Sequence, residues 1–552
     1  MRPANNPQTQ TVIDYHERTK HHFDRMARSP GFMDWANQPD PFRRYRGAPA
    51  ISLPLSTADP SLDYDLLYNA AAPAAAPPTR TSIAAFLELA LGLSAWKALG
   101  RDRWALRINP SSGNLHPTEA YLFLAQVKGL ADGLYHYAPR EHLIERRITA
   151  TTEAGAYLRA HCGGPALLVA LSSVIWREAW KYGERAFRYA QHDIGHALAA
   201  LCFAARLLGW RLTCLPGISA NQLSRLLGFD RTAWPPLEEE TPELLCLVTP
   251  ADLQRPLPAL PPDFIRTVAT GPIEGQPNPL SPARRHWEAI QRVEAATRPT
   301  EAPEEPGRFA ASAHRPERPV GIKAAEVIRR RRSAVAFDYR GRMDRPVFFD
   351  LLARTLPMAQ CPPFDIGLGP PRISLVLFLH QVTDLAPGIY VFIRHPAHRD
   401  ALRAALNPGF TWQPASPTLP LFLLQEGDCR AAAADLACRQ EIAGSSVFSL
   451  AMLAAFETTL SAAPWRYRQL FWEAGLIGQV LYLEAEARGY RGTGIGCYYD
   501  DPVHQLLGIQ DTSWQDLYHF TVGVPLDDPR LRSFPPYSPR EDTAGVAPVA
   551  ER

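Results

Sequence analysis

The sequence is short of the features that would place it quickly. Its 552 residues contain only 8 cysteines, with no C-x-x-C pair and no Cys/His metal spacing. That excludes a zinc ribbon and a disulfide scaffold. Cys202 and Cys246 sit in apolar runs and read as reduced, buried thiols of a cytosolic protein. No unbroken apolar stretch approaches the ~18 residues that a membrane span needs. The opening residues M-R-P-A-N-N-P-Q-T-Q have no apolar h-region, so no signal peptide is expected. An excess of one charge is missing too: 58 basic and 56 acidic side chains leave +2. Neither nucleic acid nor an anionic membrane is therefore an expected partner. There is no P-loop and no G-x-G-x-x-G turn, so any dinucleotide is expected as a visitor, not a resident.

The chain does have a full core composition, 46% hydrophobic and 21% charged, and a length that suggests two to four domains. Its 53 prolines are roughly twice the usual share, and many fall in two connecting stretches. Thr11–Arg28 reads as a polar helix. Asp34–Pro78 reads as an arm ending in a Pro/Ala linker. Thr81–Leu99 has helical spacing, with Ile83, Phe86, Leu87, Ala90 and Leu91 on one face. Ala120–Val127, Leu134–Tyr137 and Pro165–Val174 read as strands, and Glu178–Gly209 as one or two helices.

The sequence also matches itself. Shifted by 280 positions, Arg188–Gly228 lies on Arg468–Gly508 without a gap, pairing Gly195 with Gly475 and Leu226-Leu227-Gly228 with Leu506-Leu507-Gly508. Shifted by 255, the stretch from Glu119 lies on the stretch from Ser374. The change of offset implies about 25 extra residues in the second copy, expected around Ala431–Ala462. The expected division is an N-terminal arm at 1–80, one unit at 81–250, a Pro-rich linker at 251–320, a second unit at 321–535 and a disordered tail at 536–552.

One loop stands out. Arg107 to Asn114 packs Pro110, Ser111, Ser112, Gly113 and Asn114 into a turn that bares backbone N–H groups, two hydroxyls and an amide. Such a lining suits a flat, heteroatom-edged ligand; read on composition alone, it is more often a surface turn ahead of the apolar run Ala120–Val127. Further motifs are W-R-E-A-W-K-Y-G-E-R (Trp176–Arg185), D-I-G-H (Asp193–His196), R-R-S (Arg331–Ser333), G-T-G-I-G-C (Gly492–Cys497) and L-Y-H-F-T-V-G (Leu517–Gly523). In this order the set resembles the FMN-dependent nitroreductase superfamily, specifically its SagB-type dehydrogenase branch.

The resemblance implies an α+β fold, two nitroreductase-like domains whose antiparallel-rich sheets are flanked by helices. It also implies an FMN cofactor at an interface normally shared by two subunits. A fused repeat would then be an intramolecular pseudo-dimer. The first copy keeps the Ser/Asn loop, where the second has Asp365-Ile366-Gly367-Leu368-Gly369. The second keeps Arg331-Arg332-Ser333 and Gly494-Ile495-Gly496, where the first has Cys214-Leu215-Pro216. One composite FMN site per chain is expected, and one decayed site. Arg331, Arg332 and Ser333 are the expected phosphate ligands. Val335 stands where the family has a further arginine, with Arg530 or Arg532 as substitutes. Gly494, Gly496 and Cys497 would approach the flavin ring closely, their free N–H groups steadying it. Arg107 and the Pro110–Asn114 loop would meet its edge.

Lys181 and Tyr182 are the implied catalytic pair, the lysine taking a proton while hydride leaves for the flavin. The expected substrate is a small or peptide-derived molecule. Two other readings stand beside this one: an NAD(P)H-dependent nitro or quinone reductase, and a flavin-free pseudoenzyme that binds a peptide or partner. His192 and His196, one turn apart, read as packed side chains and not metal ligands, for want of a third ligand.

Overall fold

The computed structural model describes residues 6–537 apart from 70, 163–165, 216, 254–259, 261 and 300–318. Pro216, most of the tail and the middle of the second linker, all invoked above, lie outside the described residues.

Two seven-stranded antiparallel sheets carry the architecture. Most of the strands concerned are, in chain order, β1 (Ala50–Ser52), β2 (Leu93–Leu99), β3 (Asp102–Arg107), β4 (Thr118–Ala125), β5 (Gly133–Ala138), β6 (Leu143–Thr149), β7 (Ala166–Ser173), β8 (Trp210–Cys214), β9 (Thr241–Pro250), β10 (Ile373–Leu379), β11 (Gly388–Phe392), β12 (Gln413–Pro414), β13 (Leu421–Glu426), β14 (Phe448–Ala455), β15 (Arg491–Ile495), β16 (Trp514–Gly523) and β17 (Arg532–Phe534). The first sheet runs β1-β6-β5-β4-β7-β9-β8 and the second β12-β13-β11-β10-β14-β16-β15. From the third strand onward, the two orders follow the same path. Strands β4, β7, β10 and β14 are buried along their whole length, which is why they read as unbroken apolar runs rather than alternating ones.

Six helices matter for the site: α1 (Pro7–Arg18), α2 (Arg80–Leu91), α3 (Ile175–Tyr182), α4 (Ala186–Leu207), α5 (Ala324–Arg330) and α6 (Arg466–Ala487). Helices α4 and α6 are each 22 residues long and buried over nearly all of them. They cross backbone to backbone. A Cβ on Gly195 would lie 2.8 Å from Gly475 Cα, and one on Gly475 would lie 2.8 Å from His196 N. Ordinary helix pairs keep their axes about 8–10 Å apart because side chains intervene; here two glycines remove them. Around the crossing, Trp472 Nε1 donates to Gln191 Oε1 (2.6 Å) and His192 Nε2 meets Leu517 O (3.0 Å). Buried ion pairs join the halves: Asp500 with Arg188 (2.7 Å) and Arg185 (3.0 Å), Glu243 with Arg468 (2.6 Å).

Four sequence expectations shift. The first helix ends at Arg18, not Arg28. Beyond it the chain is pulled straight, with His21 N donating to Asp500 Oδ2 (2.9 Å) and Lys20 paired with Asp501 (3.0 Å). The helical run read to Leu99 stops at Gly92, and Leu93–Leu99 is strand β2, held between β3 and β17. A hairpin with β3, extended on the other edge by the returning C-terminal β17, overrides the helical spacing there. Residues 431–462 do not hold most of the added length: Phe448–Ala455 is strand β14, fifth in its sheet, in the position that β7 holds in the first sheet. The extra residues lie mainly between β11 and β13, at 393–420, with helix His398–Ala405 and strand β12, where the first half joins β5 to β6 through 139–142. The second linker is partly structured: Gln276–Pro277 pairs with Tyr45–Arg46, and helix Glu288–Ala296 packs on α1.

The crossing predicts a specific intolerance. Gly195→Leu or Gly475→Leu must push two buried backbones apart, a loss on the order of 4 kcal/mol. Thermal melts should show a drop of more than about 10 °C, or no soluble protein. A melt within about 2 °C of wild type would show that the close crossing is dispensable.

Candidate functional site

A cavity of about 820 Å³ opens where the two halves meet, within the range of small-molecule and cofactor sites, about 300–1,000 Å³. The first half lines it with the Arg107–His116 segment, Tyr182, Tyr189, Asp193 and His196. The second contributes Arg331–Ser333, Val335, Tyr482, Gly494–Cys497 and the stretch around Asp527–Ser533. All the sequence-predicted cofactor residues except Arg530 are in this lining.

The loop is held by its own side chains. Ser111 Oγ accepts from His116 N (2.8 Å). Ser112 donates its N–H and its hydroxyl to Asp193 Oδ1 (3.1 Å each). Asn114 Nδ2 donates to Ala105 O (2.9 Å), while its Oδ1 meets His116 Nε2 (2.9 Å). The hydroxyls and the amide expected to face a ligand are thus engaged in fixing the turn. The neighbouring buried Oδ1 of Asn109 has no partner. Gly113, at φ 59, is where a Cβ would stand 2.6 Å from Tyr182 Oη and 3.2 Å from Lys181 Nζ. The predicted catalytic pair therefore sits directly over the loop, at the end of α3, which Gly183 terminates at φ 54.

The arginine run divides its labour. Arg329 pairs with Asp59 and Glu88, and Arg330 with Glu326 and Glu486. Arg331 and Arg332 have no carboxylate in ion-pair reach among the described residues. Arg331 Nη2 donates to the carbonyls of Arg107 (3.0 Å) and Ile108 (3.1 Å), its guanidinium lies 5.1 Å from the Tyr482 ring centre, and its buried Nε is unpartnered. Arg332 is held by the carbonyls of Arg329, Arg331 and Ser94. Burial, with Arg331 beside it, lowers the pKa of Arg332 to about 10. Arg107 contributes a further buried, unpartnered Nε, and desolvation brings its pKa to about 10. Lys97, which nothing in the sequence marked, joins this basic lining; its ammonium donates to Ser533 Oγ (2.6 Å), and burial and Arg332 lower its pKa.

Two expectations fail here. Arg530 is not brought to the cavity: it is fully exposed and paired with Asp528 (2.7 Å), because the turn after β16 directs it to solvent. The N–H of Gly494 is not free for a ligand. It donates to Tyr482 Oη (2.9 Å), which also meets Ser333 Oγ (2.9 Å). The glycines are needed for another reason than close ligand approach. A Cβ on Gly494 would collide with the Tyr518 hydroxyl, and one on Gly496 with the Tyr189 ring.

Asp193 is the group that sequence reasoning undervalued. It is buried on α4, and desolvation raises its pKa to about 7 despite the donors at Ser111 and Ser112. Its spacing in D-I-G-H reads as a packing segment, and only the fold shows that it faces the loop. Glu178, one turn before Tyr182, is buried with both carboxylate oxygens unpartnered; burial and then Asp193 push its pKa well up. Burial and Glu178 raise the Tyr182 phenol well above its usual value. His192 and His196 are spent on Leu517 O and on Tyr518 Oη (3.1 Å), and desolvation holds both imidazoles below their usual range. Cys497 Sγ lies 2.6 Å from Cys438 Sγ. The Cys438 thiol foremost, then His21 and Arg185, lower the pKa of Cys497 to about 5.

The donor set suits FMN. Uncompensated arginines fit a phosphate, which favours charge-assisted, forked donors, and the unpartnered Asn109 Oδ1 and the loop backbone can meet a heteroatom-edged ring. A buried polar atom left without a partner costs about 1–3 kcal/mol, so orphans gathered on one cavity point to a guest.

Comparison with known proteins agrees. Residues 74–237 match the nitroreductase family. A protein of Methanocaldococcus jannaschii named as a nitroreductase is 26% identical over 133 residues, 23% of this chain and 66% of its own length. The trifolitoxin-processing protein TfxB of Rhizobium leguminosarum bv. trifolii is 31% identical over 109 residues, 18% of this chain and 29% of its own length. The chain thus spans less than two thirds of either relative. Among solved structures, an Anabaena variabilis protein named as a nitroreductase superposes with a TM-score of 0.68 at 21% identity, covering 94% of this chain and 99% of that one. The two-sheet arrangement as a whole therefore recurs there, and the match to the nitroreductase family falls on residues 74–237.

Proposed function

We propose that the chain is an FMN-dependent oxidoreductase of the SagB-type dehydrogenase kind, built from two copies of one unit that together form a single cofactor site. The observation that carries this reading is the cavity's composite wall: the Ser/Asn loop and Tyr182 come from the first half, with Lys181 beside the loop at Gly113, and the Arg331-Arg332 pair comes from the second. Bound FMN would supply the two-electron acceptor. The chain supplies the rest. Arg331, Arg332, Lys97 and Ser333 would hold the phosphate. The Asn109–Asn114 backbone, fixed by Asp193 and Ala105, would orient the ring. Lys181 Nζ, beside Gly113, would take a proton from the substrate bond being oxidised, with Tyr182 Oη next to it. Asp193 can accept a proton behind the loop near neutral pH. The likeness to a protein named for trifolitoxin processing supports a peptide-derived substrate. The likeness to a protein named as a nitroreductase favours a second reading, NAD(P)H-dependent reduction of nitro compounds or quinones. NADPH oxidation that depends on added nitroaromatic would select it.

Three outcomes are expected. Purified protein reconstituted with FMN should carry one flavin per chain by absorbance, and Arg331→Ala with Arg332→Ala should weaken that binding at least tenfold. Two flavins per chain would break the composite-site reading, and none would break the oxidoreductase reading. Lys181→Ala should keep its flavin but lower turnover of a confirmed substrate by about 10²–10⁴; unchanged turnover would remove the lysine from the chemistry.

The third outcome concerns pH. The folded state holds the Asp193 proton up to about pH 7, whereas the unfolded chain releases it near the ordinary value of about 4. Ionisation is therefore disfavoured by folding, and this contribution to stability falls as pH rises from about 4 to 7 and is level above. Urea unfolding at pH 5.5 and 7.5 should show Asp193→Asn gaining about 2 kcal/mol on wild type across that interval. A constant difference would show that Asp193 titrates normally.

A further inference from the structure

A second cavity, of about 390 Å³, lies on the other side of the helix crossing. It is built from the counterparts of the first: the end of β8 at Cys214-Leu215, the first turns of α6, and the loop before β10 at Gly367–Arg372. In the flavin cavity these places belong to the end of β15, α4 and the loop before β4. The chemistry differs. At the offset of 280 residues, Trp472 stands for His192 and Gln469 for Tyr189. The loop carries Leu368 between two glycines and has no hydroxyls. The space is less than half as large, and its walls include Leu215, Ile218, Trp465 and Trp472.

The polar groups left over are cationic. Arg468 is neutralised by Glu243 (2.6 Å) and Arg298 by Glu294 (2.5 Å). Glu473, the nearby acid, accepts from the Arg394 guanidinium and from the N–H of Arg372 (2.9 Å). Arg372 and Arg466 have no ion-pair partner among the described residues. Arg372 Nη1 donates only to Leu368 O (3.1 Å), and the buried Nε of Arg466 donates to nothing. They lie close enough that Arg466 adds to the lowering of the Arg372 pKa by burial. His398, on the same wall, has a buried, unpartnered Nδ1. Two guanidiniums with no ion-pair partner among the described residues, Arg372 with Glu473 near it, on an aromatic, half-enclosed space favour an anion whose body is apolar.

We propose that this second cavity binds a small aromatic carboxylate, with Arg372 and Arg466 on the carboxylate and the apolar wall on the ring. The carboxylate could be that of a free acid or of a peptide's C-terminal aromatic residue. This inference stands apart from the flavin reading, since the two cavities share no lining residue.

Calorimetric titration of the full chain with indole-3-propionate and with the tripeptide Ala-Ala-Phe, each against its amide, tests it. The expected result is saturable binding of at least one carboxylate, at least tenfold weaker for the matching amide. Binding of the acid alone assigns a free metabolite; binding of the tripeptide assigns a peptide end. Arg372→Ala/Arg466→Ala should weaken binding at least tenfold while flavin content, read by absorbance, stays unchanged. Because Arg372 also holds its loop through Leu368, Arg466→Glu alone is the second variant, with its melt checked against wild type. No binding by either carboxylate, equal binding by acid and amide, or wild-type affinity in both variants would overturn the proposal.

Discussion

The close crossing of α4 and α6 is the constraint on which the rest depends. With no side chain at Gly195 or Gly475, the two backbones meet directly, and each helix carries its residues past the other's sheet. Tyr189, Asp193 and His196 thereby reach the second half's Gly494–Cys497, while Arg468, Gln469 and Trp472 reach the first half's Cys214-Leu215. One contact sets the depth and spacing of both cavities. The buried ion pairs act differently. Asp500 between two arginines offers little net gain over an apolar contact, because desolvation cancels most of the attraction. Their effect is registry, since a shifted crossing would leave Arg185 and Arg188 buried without an acid.

Much of this was legible in the sequence. The composite lining follows from motifs that are present once in one half and absent from the other, and a repeat offset is a fact of spacing. The matched glycines at 195 and 475 were visible too, although spacing alone could not say that they touch. Illegible were the features set by long-range pairing. Leu93–Leu99 has a helical spacing, yet it is a strand because it forms a hairpin with Asp102–Arg107 and is joined on its other edge by Arg532–Phe534, over 430 residues away. The same pairing brings Lys97 to the cavity, and no local pattern could announce that. Residues 19–28 are drawn out of the helix by Asp500 and Asp501, which stand near the other end of the chain.

The errors about side-chain roles share a cause. Composition tells which groups a loop owns, but not which of them the loop consumes. Ser111, Ser112 and Asn114 were read as ligand-facing, and each proves to be bonded within the protein. Gly494 and Gly496 were read as room for a flavin, and the space belongs to Tyr518 and Tyr189. What the fold leaves over among the lining residues is the bonding of Arg107 Nε, Arg331 Nε and Asn109 Oδ1, unpartnered among the described residues, whereas Arg332 is held by three carbonyls.

That residue of unmet bonding is also what separates the two cavities. Both lie at the same crossing, and both are walled by a helix start, a strand end and a loop. In one, polar orphans and an unpaired arginine couple line a space large enough for a flavin. In the other, a tryptophan replaces a histidine, the loop loses its hydroxyls, and the volume falls below half. If the two halves are copies of one unit, as proposed, both cavities start from one geometry and side-chain identity is what makes them differ. In the smaller space, whose loop carries no hydroxyl, the half-buried Arg372 and Arg466 have no ion-pair partner among the described residues, so they are the groups that an anionic guest would meet.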